Sequence, residues 1–341
     1  MGQIAAQVSG SQEKGHSYAS IMARFLSFGT QYIDEAVVFG LTQGVDFKYR
    51  KGEQGVPSRV FALAGNLDLD ILLAGDVPNT WYGAGEFPWK NIREALRKNQ
   101  VVLLRVNPQY LVYHGKQNIN HSDYLIAAVC YMETDGLLGI IDPQYHGPQY
   151  LIVEDLAEAM YRCSAEYRYG YWVVSDRIVE ITEQKLRKAL YTCAKHMLFD
   201  ADAYSGISAM HLFAQEMLRW KEEVKDWKWS ALYCCSLLLN YGQKSGCRSL
   251  YADFLTRAAR IIPELDKVRV PQKMQRITLL WDELAANLYA ITRTVDNSLI
   301  FQTAGVLKKI AVEEERLYSM ILSVLSGSAQ SGQGKQVVNE N

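Results

Sequence analysis

Ser17 sits in the stretch GHSYAS, directly ahead of Ile21, Met22, Phe25 and Leu26, which recur at helical spacing. A helix start offers unbonded N–H groups and the positive end of the helix dipole. Both favour negative charge developing on a carbonyl oxygen under attack. A hydroxyl there is a poor nucleophile until a base takes its proton. The same position also suits a plain helix cap. The catalytic reading of Ser17 therefore needs a histidine and an acid elsewhere in the chain.

Six histidines are present. His16 adjoins Ser17, and neighbouring side chains at a helix start do not face each other. His211 lies on an apolar helical face and reads as a core or interface residue. His196, in AKHMLFD, sits near a helix C-terminus, where a cation is favoured. His114 and His146 flank strands without an evident partner. His121, in NINHSDYLIAAV, begins a strand that leads by a hairpin to IIDP and Asp142. A hairpin returns two such residues to one end of a sheet, as a base and its orienting acid require. With a turn centred on Thr134 and Asp135, mirror pairing sets Asp142 opposite about Ala127 and short of His121, so a bulge or a folded-over tip is needed. Asp123 is the alternative orienter, and Asp142 also suits the start of a turn at Pro143.

The elements that must position these residues follow from the pattern. The chain has 341 residues, long for one core. Its texture changes near ITEQ, where Thr182 can cap a helix. Residues 1–178 read as an α+β domain, helices followed by an antiparallel sheet. VVLLRV, YLVYH, YLIAAVCY, LLGIID and YWVVS are its strands, and ETDG is a hairpin turn. Residues 179–326 read as all-helical, with Ile207, Met210, Ala214 and Met217 on one face. Met274, Ile277, Trp281, Leu284, Leu288 and Ile291 form another. The Gly/Ser-rich end, residues 327–341, reads as a disordered tail.

Hydrophobic content of 49% and charged content of 21% are ordinary for a soluble protein. A net charge of −1 argues against nucleic acid or an anionic membrane as partner. No apolar run spans a membrane and no secretory leader opens the chain, so a cytoplasmic location is expected. The six cysteines show no zinc or CxxC spacing and lie mostly in apolar runs, as reduced core thiols do. No cofactor-binding or metal motif is expected.

The order of these parts resembles the butirosin biosynthesis protein H family. GHSYASIMARFLSFGTQYIDEAVVFGLTQGVDFKY is similar to the family's opening, NINHSDYLIAAV to its His-bearing strand and IIDP to its Asp-bearing strand. GISAMHLFAQEMLRW and CRSLYADFLTRAARI look like its helical partner domain. The resemblance implies a papain-like N-terminal domain with a triad of nucleophile Ser17, base His121 and acid Asp142. It implies acyl transfer in natural-product assembly, from a carrier-protein thioester to an amine on a small acceptor. Papain-like enzymes often take a second oxyanion donor from an upstream Gln, and Gln12 is the nearest candidate.

This sequence departs from the family in carrying Ser where Cys is usual. A Cys ionises near neutral pH at a helix start, whereas a Ser must be deprotonated during attack. Three readings stay open: a working Ser triad, a natural loss of catalysis, or a Cys→Ser replacement. The function classes are correspondingly an acyltransferase, a thioesterase or amidase with the same triad, and a non-catalytic binding protein. The basic stretches KYRK (48–51) and WKNIREALRKN (89–99) could steer an acidic carrier protein, though the second also reads as the solvated side of a helix. A homodimer stays open as the assembly.

Overall fold

The computed structural model describes residues 17–26, 33–51, 57–64, 85–117, 124–142, 145, 147–165, 168–174, 181–240, 245–293 and 297–332. It divides into two compact units. One comprises residues 1–38 and 72–180, the other residues 39–71 and 181–341. The units change over at 180/181, and Thr182 caps the first helix beyond it, its hydroxyl accepting from Lys185 N–H at 3.2 Å. The difference lies upstream. The described residues of 39–64 fall in one unit with the C-terminal helices rather than with the rest of 1–178.

The first unit is built on a five-stranded antiparallel sheet. Its strands are β3 (Val101–Val106), β4 (Tyr124–Met132), β5 (Leu137–Ile141), β6 (Gln149–Ile152) and β7 (Tyr171–Val174), in the order β6-β5-β4-β3-β7. β4 and β5 form the hairpin read from ETDG, and Gly136 at its end takes a positive φ of 65° that glycine adopts without strain. Helix α1 (Ser17–Leu26) packs against β4 and buries Ile21 and Met22. Helix α3 (Trp89–Arg97) covers β3 and β4, and helix α4 (Val153–Tyr161) covers β3 and β6. Leu104, Ile126, Leu138, Ile140 and Leu156 meet in the core between these layers. Tyr171 and Trp172 of β7 are buried here.

YLVYH is not a strand. Asn107 leaves β3 and caps a short 3-10 helix, Pro108–Tyr110, with its side chain accepting from Gln109 N–H. A second 3-10 helix, Val112–Gln117, follows. Both sides of β3 are already taken, by β4 and β7, and Asn-Pro favours a turn over continued extension.

The second unit holds a hairpin the sequence reading missed, β1 (Val45–Lys51) with β2 (Arg59–Ala64). Its glycine-rich surroundings read as loop, but Val45, Phe47 and Tyr49 alternate inward. Phe47 stacks near Phe61, Phe213 and Trp281. Around the hairpin lie α5 (Glu183–Phe199), α6 (Gly206–Met217), α8 (Trp227–Asn240), α9 (Arg248–Ile261), α11 (Val270–Arg293) and α12 (Asn297–Gly332), with short helical turns at Trp220–Glu223 (α7) and Pro263–Lys267 (α10). Helix α2 (Glu35–Leu41) crosses the division between units, and a Cβ added at its Gly40 would fall within the Phe254 ring. Helical backbone continues to Gly332, so residues 327–332 of the expected tail are helical, and residues 333–341 lie outside the described residues.

A fully buried ion pair ties the hairpin to the helices. Arg248 donates to Glu314 at 3.0 and 3.3 Å, and its Nη1 reaches the carbonyls of Asp46, Leu63 and Gly246. Trp281 Nε1 donates to the same carboxylate at 2.7 Å, and the guanidinium lies over the Trp281 ring. Burial opposes the Arg248 charge, but Glu314 outweighs it and holds the guanidinium above its ordinary pKa. Nearer the surface, His196 bonds Asp46 at 2.9 Å and Asp200 at 3.1 Å.

Candidate functional site

The ends of β4 and β5 define the site. The two strands are antiparallel, so the end of β5 and the start of β4 lie at one edge of the sheet. Asp142 follows the last residue of β5, and His121 precedes the first residue of β4 by three positions. The register pairs Ala127 with Ile141, with a bulge between Ala128 and Cys130. That bulge brings Asp142 one residue nearer the start of β4 than simple mirror counting does. Helix α1, with Ser17 as its first described residue, packs on the same strand β4. The Ser17 side chain, His121, Asp123 and Gln12 lie outside what the structure describes.

Asp142 is described in full, and its side chain is completely buried. Its Oδ2 accepts from the Tyr113 hydroxyl at 3.0 Å and lies 3.0 Å from His114 Nε2. Both partners come from the second 3-10 helix, so the turn that replaces the expected strand supplies them. Tyr145 donates its hydroxyl to the Tyr113 carbonyl at 3.1 Å and sets its ring edge-on to His114 and Tyr113. Burial and the Asp142 charge push the Tyr145 phenol above its ordinary pKa, so it stays a neutral donor. The Asp142 carbonyl also accepts from Tyr145 N–H, so Asp142 starts a turn while its carboxylate meets Tyr113 and His114.

His114 therefore has the partner that sequence reasoning did not find for it. The only local signal was the Asn-Pro pair ahead of YLVYH, which marks a turn. The contact itself spans 28 residues of sequence.

The other candidates resolve differently. Arg93 and Arg97 converge on Glu133 in the β4–β5 turn, at 3.2 and 2.7 Å, so these two cations of the 89–99 stretch already have an acidic partner. All six thiols are free, and five are buried. Burial pushes Cys193 up to about 12, which keeps it protonated and unreactive. Among the described residues there is no group of three or more His, Cys, Asp or Glu able to hold a metal. None of the described helices is long and apolar enough to cross a membrane.

Residues 16–143, which span Ser17, His121 and Asp142, can be compared with known families. They match the family model described as butirosin biosynthesis protein H, N-terminal. The match opens at His16 and closes one residue after Asp142. Residues 154–321 match a second family model, described as a domain of unknown function (DUF4872). No curated protein matches the chain. The description of the N-terminal family connects this part of the chain with biosynthesis, and the second match takes in most of the helical unit.

Proposed function

We propose that the chain is an acyltransferase of natural-product biosynthesis, papain-like in its N-terminal unit, with Ser17 as nucleophile. Ser17 Oγ attacks a carrier-protein thioester while His121 takes its proton. The thiolate leaves and is protonated by the imidazolium, giving acyl-Ser17. An amine on a small acceptor then attacks the ester carbonyl, losing a proton to His121, and Ser17 leaves as the alcohol with an amide as product. Asp142 orients the imidazole, and N–H groups at the start of α1 stabilise the oxyanion.

The observation that carries this reading is Asp142 itself. A fully buried carboxylate at a strand end, with its Oδ2 held by two aromatic side chains, is costly to desolvate. It stands at the sheet edge from which the His121 strand departs. A merely turn-starting Asp has no need of burial. The family match over 16–143 supports the biosynthetic setting.

Incubation with a panel of acyl thioesters and a fluorophosphonate, followed by intact mass and peptide mapping, tests the reading. An adduct on Ser17 that disappears in His121→Ala is expected. An adduct that survives His121→Ala, or that forms elsewhere, overturns it. Adding amines to the acyl-enzyme then separates transfer, which yields an amide, from hydrolysis, which yields the free acid.

A further inference from the structure

We propose that His114 is a positioning residue which, with Tyr113, fixes the Asp142 carboxylate in the orientation the triad uses. The role rests on the triad proposed above and extends it by a residue that does not touch substrate. An Asp carboxylate turns about a broad, roughly two-fold torsion and has little preference of its own. Here the His114 and Tyr113 contacts fall on the same oxygen, Oδ2, each at 3.0 Å. That choice of oxygen settles which way Oδ1 faces. A carboxylate only accepts, so the contact assigns the hydrogen to His114 Nε2.

The support is rigid. The His114 and Asp142 side chains are 2% and 0% exposed. The His114 ring meets Tyr145 edge-on, with centroids 5.1 Å apart and planes at 84°. Tyr145 in turn is anchored on the Tyr113 carbonyl. His114 N–H is tied to the Leu111 carbonyl at 2.9 Å, which holds the 3-10 turn on which both donors ride. Burying an imidazole against a carboxylate carries a desolvation cost that apolar residues filling the same space avoid. The arrangement suits a carboxylate whose direction matters.

The test is a kinetic cycle. The rate of Ser17 acylation by an N-acetylcysteamine thioester is measured by intact mass for the unsubstituted chain, His114→Ala, Asp142→Asn and the double variant. His114→Ala is expected to slow acylation about 10–100-fold, as loss of an outer-shell partner does. It should slow nothing further in the Asp142→Asn background, because it acts through Asp142. His114→Gln, which keeps an N–H donor, should recover part of the rate. Equal slowing in both backgrounds, or an unchanged rate in His114→Ala, overturns the positioning role and leaves the triad standing. If His114→Ala does not fold, Tyr113→Phe, which removes one hydroxyl, carries the same cycle. If only Ser17→Cys acylates, the cycle is read in that background. If neither Ser17 nor Cys at that position acylates, the triad falls and this role with it.

Discussion

Asp142 in the N-terminal unit and Glu314 in the C-terminal unit are both fully buried carboxylates, and their partners differ in kind. Glu314 faces a guanidinium that never loses its charge, with a Trp N–H beside it. Its partner Arg248 also serves three backbone carbonyls, so the pair works as a rivet between a β-hairpin and a helical bundle. Asp142 faces an imidazole and a phenol, groups that donate without a permanent charge. It sits at a strand end rather than mid-helix. The imidazole and the phenol hold the Asp142 carboxylate through hydrogen bonds to one oxygen, whereas the guanidinium of Arg248 spans both oxygens of Glu314. The proposed triad gives the first carboxylate a chemical use, and the second serves cohesion.

The comparison breaks most readily at Asp142. Asp142→Asn should slow Ser17 acylation about 10³–10⁴-fold, by analogy with acid loss in Ser-His-Asp triads, with little change in the urea midpoint. A large loss of stability with unchanged acylation would make Asp142 another rivet. Arg248→Met should do the opposite. It leaves Glu314 buried without a counter-charge and should cost about 3–5 kcal/mol in urea unfolding. The double variant Arg248→Met with Glu314→Leu sharpens the point. It removes both charges but strands the three carbonyls and Trp281 Nε1, so a deficit of about 1–3 kcal/mol should persist by the same measurement. Full recovery would show the pair to be replaceable by packing alone.

Smaller effects mark the edges of the second unit. Thr182→Ala removes the cap of α5 and should cost about 1 kcal/mol in thermal or urea unfolding. The His196–Asp46–Asp200 cluster should give a pH dependence. The Asp46 hydrogen bond raises the His196 pKa above its ordinary 6.5, so this contribution is complete below 6.5 and is lost as pH rises through the raised value. Burial opposes the Asp46 charge, but His196, Lys48 and the Phe47 N–H hold its carboxyl below 3.8. That part is complete above 3.8 and is lost as pH falls through the lowered value. The urea midpoint should therefore fall from pH 6 to pH 9 in the unsubstituted chain by more than in His196→Gln. The difference should stay below about 1 kcal/mol because His196 is part-exposed.

Much of the fold was legible before any coordinates. Periodicity marked α1, α3, most of the sheet and the helical second half, because one face of each element is buried and the others are wet. The ETDG turn and the Thr182 cap are local chemistry, readable from a few residues. The hairpin at 45–64 was not, because its glycines outweigh a short alternation whose inward Phe47 packs on helices 166 and 234 residues later. Nor was YLVYH, whose β-rich composition suggests a strand, although β3 just before it is already paired on both sides. At the site, Asp142 was legible as a candidate acid from the end of its hairpin. His114 and Tyr113 were not, because their bond to Asp142 depends on how a 3-10 turn packs beside β6.

The sequence by itself determined the division of labour along the chain, an α+β half bearing a Ser, a His and an Asp and a helical half with apolar faces. Those are consequences of local pattern and side-chain chemistry. Only the tertiary structure decided which carboxylate meets a guanidinium and which an imidazole and a phenol, and that the 45–64 hairpin belongs with the helices. Such pairings are made between residues far apart in sequence, where desolvation and hydrogen-bond geometry rather than local preference choose the partner.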